Sequence, residues 1–378
     1  MSRPTIKARA VDAVIDRGLL PDALLRRVIR ALLRRRRDAI TAGSVEERGE
    51  RQRQLLAALA AAPVAIDTEE ANEQHYEVPT ELFDLMLGPH LKYSSAWWPV
   101  GVSTLAQAEE AMLALTCDRA ELADGQDVLE LGCGWGSLTL WMAERYPASR
   151  ITAVSNSATQ REHIEKQAAL RGLDNITVLT CDVNRLGAGA GAGGGPGAYA
   201  EVVHEAAFDR VVSIEMFEHV RNHRVLTERI ASWLRPGGKL FVHVFAHRSD
   251  AYPFETGGDA DWMARHFFTG GLMPSHDLLL LSVADLAVED RWAVSGIHYA
   301  RTLRAWLDRL DAQRERVLQL FADAGGPVSP RASYHRWRVF TIACEELFAF
   351  AGGDEWHVSH YRFVRPGSTA AGGNVGDR

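Results

Sequence analysis

Val128-Leu129-Glu130-Leu131-Gly132-Cys133-Gly134-Trp135-Gly136 is the stretch whose reading decides the fold. Its first four residues are of buried-strand type, and three glycines follow at alternate positions. Ser137-Leu138-Thr139-Leu140-Trp141-Met142-Ala143 then opens a helical pattern. A strand, a tight glycine turn and a helix start at the carboxyl end of a first parallel strand make a nucleotide-type binding site. Glycine lets the turn use positive φ and lets a ligand touch the backbone. The spacing is GxGxG rather than GxGxxG, which disfavours a dinucleotide. A tight turn with no ligand at all is the plain alternative.

Working outward, strands are expected at Asp127–Leu131, Arg150–Val154, Ile176–Thr180, Phe208–Ile214 and Lys239–Phe245, with helices between them. Such alternation predicts a doubly wound parallel α/β sheet. Strand four runs into Ser213-Ile214-Glu215-Met216-Phe217-Glu218-His219, and a helix is expected to start there and continue to Leu234. On that helix Glu215, Glu218 and His219 stand at i, i+3 and i+4 and share a face beside the ligand. Two carboxylates and an imidazole can take a proton and favour a nearby cation. They are also metal-ligand residue types. An acidic helix N-terminus suits the helix dipole and would account for the glutamates, though not for His219.

The flanks divide into residues 1–68, helical; 69–118, a segment covering the site and a helix over Leu105–Leu122; 119–248, the core; 249–365, a lid, further helices over 302–324 and 331–350, and closing strands; and 366–378, a disordered tail. Between strands three and four the Gly/Ala run from Leu186 to Ala198 reads as a flexible loop without function. In the first helices Leu24, Leu25, Val28, Ile29, Leu32 and Leu33 recur at helical spacing, and Arg26, Arg27, Arg30 and Arg34 to Arg37 form the other face. That face reads either as solvated or as a surface for anionic lipid.

The net charge of -7 over 378 residues argues against a nucleic-acid partner. The charge is uneven, with residues 1–50 basic and the remainder acidic. Cys117, Cys133, Cys181 and Cys344 are scattered without a CxxC pair, as in a reduced, cytoplasmic protein with neither disulfide nor zinc framework. No apolar run is long enough to span a membrane, and the N-terminus has no apolar signal core.

Longer motifs carry a resemblance. They are Asn72-Glu73-Gln74-His75-Tyr76-Glu77, Leu91-Lys92-Tyr93-Ser94, the glycine turn with Ser137-Leu138, Ser213 to His219, Arg265-His266-Phe267-Phe268-Thr269-Gly270-Gly271-Leu272-Met273-Pro274-Ser275, and Gly353-Asp354-Glu355-Trp356. With these the chain resembles the cyclopropane-fatty-acid synthase superfamily of S-adenosylmethionine-dependent methyltransferases. Within it the chain looks most like the coclaurine N-methyltransferase branch, which methylates benzylisoquinoline alkaloids. The Gly/Ala run departs from the family pattern.

The resemblance implies a class I methyltransferase Rossmann-like fold, with an N-terminal helical extension and a helical lid insertion. It implies S-adenosylmethionine as cofactor, S-adenosylhomocysteine as its product, and no metal. Family contacts to the cofactor fall on Tyr93, Ser94, Gly132, Gly134, Asn156, Ser157, Gln160 and Asp182. Ser155-Asn156 stands where many methyltransferases carry an acidic residue for the ribose. Glu215, Glu218 and His219 would face a small tetrahydroisoquinoline-like amine, with Trp97, Phe267, Trp337 and Phe340 as aromatic walls. The rival in the same superfamily is cyclopropane-fatty-acyl-phospholipid synthesis, with bound bicarbonate as base. Its anion site would map onto Cys117, Glu218, His243 and Tyr299, and only this reading involves membrane contact. Against it stands Glu215, where similar lipid enzymes carry a small residue. A homodimer is left open, as are a non-catalytic binding protein of the same fold and an NAD enzyme.

Overall fold

The computed structural model describes residues 6–66, 79–187, 199–254, 262–267 and 270–367. The Asn72–Glu77 motif, Phe268-Thr269, residues 188–198 of the Gly/Ala run and residues 368–378 of the tail lie outside the described residues.

Chain order begins with helices α1 (Ile6–Asp16), α2 (Asp22–Ile40), α3 (Val45–Ala61), α4 (Thr80–Met86) and α5 (Leu105–Arg119). The core follows as β1 (Asp127–Leu131), α6 (Ser137–Arg145), β2 (Arg150–Ser155), α7 (Ala158–Arg171), β3 (Ile176–Thr180), β4 (Phe208–Ile214), α8 (His223–Trp233) and β5 (Leu234–His247). The remainder is β6 (Tyr252–Pro253), α9 (Trp262–His266), β7 (Leu272–Met273), α10 (Leu278–Ser282), β8 (Ala287–Val294), α11 (Gly296–Ala312), α12 (Arg314–Ala324), α13 (Pro330–Ala349) and β9 (Trp356–Val364). The main sheet runs β3-β2-β1-β4-β5-β9-β8, and only β9 is antiparallel to its neighbours. The strand order reverses between β1 and β4, so the carboxyl ends of β1, β2, β3 and β4 open on one crevice.

Local chemistry explains most boundaries. Ser44 and Thr104 each close a capping box, with Glu47 and with Gln107, at the starts of α3 and α5. Gly172, at φ 68°, ends α7 in the left-handed conformation that suits glycine. Apolar strand residues such as Leu129, Val211, Val242 and Phe363 are fully buried beneath α8, which covers one face of the sheet.

Three expectations are corrected. The helix foreseen from Glu215 to Leu234 does not form as one piece. Glu215 takes φ 47°, Phe217–His219 make a single 3₁₀ turn, and α8 starts only at His223, where the Asn222 side chain accepts from Val225 N at 3.1 Å. The helix expected over 302–324 starts earlier, behind the Ser295 cap, and breaks at Gln313 into α11 and α12. Pro236-Gly237-Gly238 is not a turn ahead of strand five but an irregularity inside β5, where pairing jumps from Phe208↔Leu234 to Arg210↔Lys239.

The basic face of α2 is partly spent inside the molecule. Arg26 meets Glu345 at 2.8 Å and Glu346 at 2.7 Å on α13, and Arg30 meets Glu346 at 2.5 Å. Leu25 and Ile29 pack on Leu307 and Ile342 beside these pairs. Among the described residues no helix is long and apolar enough to cross a membrane.

Candidate active site

The glycine turn has two different jobs. A Cβ on Gly132 would lie 2.8 Å from Met216 Cβ, so that glycine exists for close packing between the ends of β1 and β4. A Cβ on Gly134 would meet nothing within 4 Å. Gly134 therefore presents bare backbone to open space, as a ligand-cradling position requires.

Two cavities meet at this turn. The first is lined by Gly132, Gly134, Ser155, Asn156, Gln160, Cys181, Asp182, Leu186 and His219, and its outer wall is Ala65-Ile66. The second is lined by Lys92, Tyr93, Ser94, Thr116, Glu130 and Trp135. They share Gly132, Gly134 and Glu215, so the Glu215 carboxylate stands at their junction.

Seven of the eight expected cofactor residues line one cavity or the other. Ser157 does not. Its hydroxyl caps α7, taking the Gln160 N–H at 3.4 Å, while its own N–H goes to Ser155 Oγ at 3.0 Å. Gln160 Oε1 accepts from Ser155 Oγ at 2.6 Å, and its buried Nε2, on the cavity wall, has no partner among the described residues. An adenosine-sized polar ligand suits that orphaned donor and the open Gly134 backbone.

Sequence reasoning missed Glu130 and Lys92. Glu130 is the penultimate residue of β1, where a buried strand asks for an apolar side chain, and that oddity was its signal. Its Oε2 accepts from Thr139 Oγ1 at 2.6 Å, and burial pushes its pKa up to about 8. Lys92 is buried, bonds Ser94 Oγ and, at 2.8 Å, the Ser95 carbonyl, and burial lowers it to about 8. Ala65 was missed too, because it enters from the segment after α3. Asn184 ties it down through Ala65 N–H at 3.0 Å and the Ala65 carbonyl at 3.1 Å.

Glu215, Glu218 and His219 come close in space without sharing a helix face. Glu215 is the hub. Its Oε1 accepts from Ser95 N–H at 2.9 Å and faces His243 Nε2 at 3.2 Å, and its Oε2 accepts from Tyr299 Oη at 2.6 Å. Positive φ on a residue with a Cβ costs about 1–2 kcal/mol, and here it turns the carboxylate back toward those donors. Glu218 is buried, lines neither cavity, and has no partner for Oε2 among the described residues. Burial raises the pKa of both carboxyls. Glu218 rises further because the Glu215 charge opposes its ionisation, so of the pair Glu215 is the more readily ionised. His219 lines the first cavity, and burial lowers it to about 4.

The residues of the expected anion site divide. His243 and Tyr299 meet at Glu215, and Glu218 lies on the next turn. Cys117 is not with them. It sits on α5 against Leu113, Val128 and Phe241, and burial pushes its thiol up to about 12. The backbone donor on Glu215 comes instead from Ser95.

Phe267, Trp337 and Phe340, expected as aromatic walls, pack on one another, with ring centroids 5.5 Å apart for Phe267–Trp337 and 4.2 Å for the stacked Phe267–Phe340, and line neither of these two cavities. Phe83 links Trp337 to Tyr93 and Trp135 of the second cavity. Trp97 is at the rim of this cluster, 6.5 Å from the His298 ring. Among the described residues no group of three His, Cys, Asp or Glu could hold a metal ion.

The mycolic acid cyclopropane synthetase family matches residues 65–357. (S)-coclaurine N-methyltransferase of Thalictrum flavum subsp. glaucum is 35% identical over 355 residues, 93% of this chain and 94% of its own. The crystal structure of coclaurine N-methyltransferase bound to N-methylheliamine and S-adenosylhomocysteine superposes with a TM-score of 0.85 at 33% identity, covering 94% of this chain and 98% of that one. Cyclopropane-fatty-acyl-phospholipid synthase of Escherichia coli K12 is more distant, 29% identical over 79% of this chain and 69% of its own. With the donor crevice at the carboxyl edge of its sheet, the chain belongs to the mycolic acid cyclopropane synthetase family and is an S-adenosylmethionine-dependent methyltransferase of its N-methyltransferase branch.

Proposed function

We propose that the protein methylates the ring nitrogen of a small tetrahydroisoquinoline-like amine. The observation that carries this reading is the Glu215 carboxyl at the junction of the two cavities, where Ser95 N–H and Tyr299 Oη both donate to it and so favour its charged form. A unit charge pair about 4 Å apart is worth about 4 kcal/mol at an effective dielectric near 20. Such a charge favours an ammonium and offers nothing to an alkene.

S-adenosylmethionine supplies, when bound, an electrophilic methyl on a sulfonium. Asn156, Gln160 and Asp182 suit its nucleoside end, and Glu130, Tyr93 and Ser94 its amino-acid end. The chain's own work is on the acceptor. An aliphatic amine has a pKa of about 10, so near neutrality it arrives protonated and without a free lone pair. Glu215 holds that cation at the junction. His219, neutral because it is buried, has a nitrogen lone pair with which to take the proton, and Glu218 lies beside it as the less readily ionised partner of Glu215. Phe267, Trp337 and Phe340, joined to the second cavity through Phe83, exclude water from behind it.

The test is a mass-spectrometric panel of tetrahydroisoquinoline amines and unsaturated phospholipids with S-adenosylmethionine. One methyl added to the amines supports the reading. Amines untouched, with one added carbon on the acyl chains, overturns it in favour of the lipid reaction.

A further inference from the structure

Across the sheet from the edge strand to Glu215 runs a row of side chains that the mechanism so far leaves unused. Antiparallel pairing sets His360 of β9 directly opposite His243 of β5 on one side and Trp292 of β8 on the other. Directly opposed residues project from the same face of the sheet, and the two imidazoles stand 4.6 Å apart. Arg119, in the last turn of α5, lays its guanidinium 4.7 Å above the Trp292 ring and bonds His360 Nδ1 at 2.7 Å. His360 Nε2 lies 2.8 Å from His243 Nδ1, and His243 Nε2 lies 3.2 Å from Glu215 Oε1.

The direction of every link follows from the first. A guanidinium can only donate, so His360 Nδ1 accepts and its proton is on Nε2. That proton is donated to His243 Nδ1, which puts the His243 proton on Nε2, aimed at Glu215. Both rings are neutral, since burial holds each well below the usual histidine range. All three bonds therefore point inward, and the row ends on a carboxylate that also accepts from Ser95 and Tyr299.

We infer that Arg119 is a positioning residue for methyl transfer, acting through the tautomers of His360 and His243 to keep Glu215 an ionised acceptor aimed at the amine. The inference rests on the reading that Glu215 faces the acceptor. Its consequence is a division of labour: a row donating inward has no free lone pair for the proton the amine loses, so that proton leaves on the His219 side. Without Arg119 the tautomers are held only from the Glu215 end, so once Glu215 takes a proton the row can reverse and turn a lone pair toward it, which favours the protonated acid.

The experiment compares Arg119→Gln, Arg119→Lys and Glu215→Gln with tetrahydroisoquinoline as acceptor, reading kcat against pH and S-adenosylhomocysteine affinity by calorimetry. Lys92, His219, Glu218, Tyr299 and Cys344 also face Glu215 and stay unchanged in the arginine variants. Arg119→Gln is expected to lower kcat about tenfold, the worth of a hydrogen bond to a charged group. It should move the acid limb of kcat to higher pH and leave product affinity within about twofold. Arg119→Lys, still a cationic donor, should recover most of the loss. Arg362→Gln is the control. Arg362 stands over the same Trp292 ring at 5.5 Å and donates to the Arg119 carbonyl at 3.0 Å but bonds neither histidine, so its loss should move the limb less than the loss of Arg119 does. An unmoved limb in Arg119→Gln, or an equal shift in Arg362→Gln, overturns the positioning role. If Glu215→Gln itself leaves kcat unchanged, it is the acceptor-side reading of Glu215 that fails.

Discussion

The two halves of the site are built on opposite plans. The donor half comes mainly from short stretches at the ends of β1, β2 and β3, each within a few residues of its strand, with Tyr93-Ser94 and Ala65-Ile66 added from earlier segments. The acceptor half converges on one carboxylate from Ser95, His243 and Tyr299, which are 120, 28 and 84 positions away in the chain. A local plan tolerates variation elsewhere in the chain, whereas a convergent one transmits it. Substitutions in the two halves should therefore fail differently.

The largest effect expected is from Glu215→Gln, which keeps the shape and removes the charge. Turnover should fall about a thousandfold, the equivalent of about 4 kcal/mol at the transition state, while S-adenosylhomocysteine affinity changes less than about fivefold. Parallel losses in both would erase the distinction between the halves. Gly134→Val should show the reverse split. Product affinity should drop about a hundredfold, with a stability cost of only about 1–2 kcal/mol for the positive φ. Gly132→Val has Met216 in its way and should lose folded protein instead, which thermal melting will distinguish.

Glu130 sharpens the comparison through pH. Its folded pKa of about 8 lies above the ordinary 4.5, so the folded state holds the proton longer. Stability of the free protein therefore falls as pH rises between those two values. A ligand ammonium beside Glu130 reverses that loss, so the melting shift produced by S-adenosylhomocysteine should grow toward pH 8 and become flat in Glu130→Gln. The smallest effect belongs to Ser157→Ala. A lost helix cap costs about 1 kcal/mol of stability, with product affinity within about twofold of the parent; a tenfold loss would return Ser157 to the cofactor contacts.

That contrast also explains what could be read from the sequence. Strand-end positions such as Gly134, Asn156 and Asp182 announce themselves by their place in the βα pattern, and the strand and helix order was legible for the same reason. Glu215 was found but its setting was not, because the residues after β4 carry helix formers, and only Asn222, a side-chain cap, marks the true helix start. Cys117 was misplaced because residue type was matched without position, and the neighbour of Glu215 proved to be a backbone N–H, which no side-chain motif reveals. The Arg119 row depends on strand register across β5, β9 and β8, which pairing alone sets.

The Val64–Ala65 strap over the nucleoside cavity carries a kinetic consequence. Asn184 holds Ala65 by two hydrogen bonds, and Arg221 N–H, Asn222 N–H and the Asn222 amide hold Val64 and Ala62 by three more. At about 1 kcal/mol each, opening costs about 5 kcal/mol and is populated about once in five thousand. Exchange of the nucleoside end past this wall then waits on a rare local opening rather than on diffusion. The Ala65 and Arg221 amides are the clock, and their hydrogen-exchange rates measure how often that exit opens.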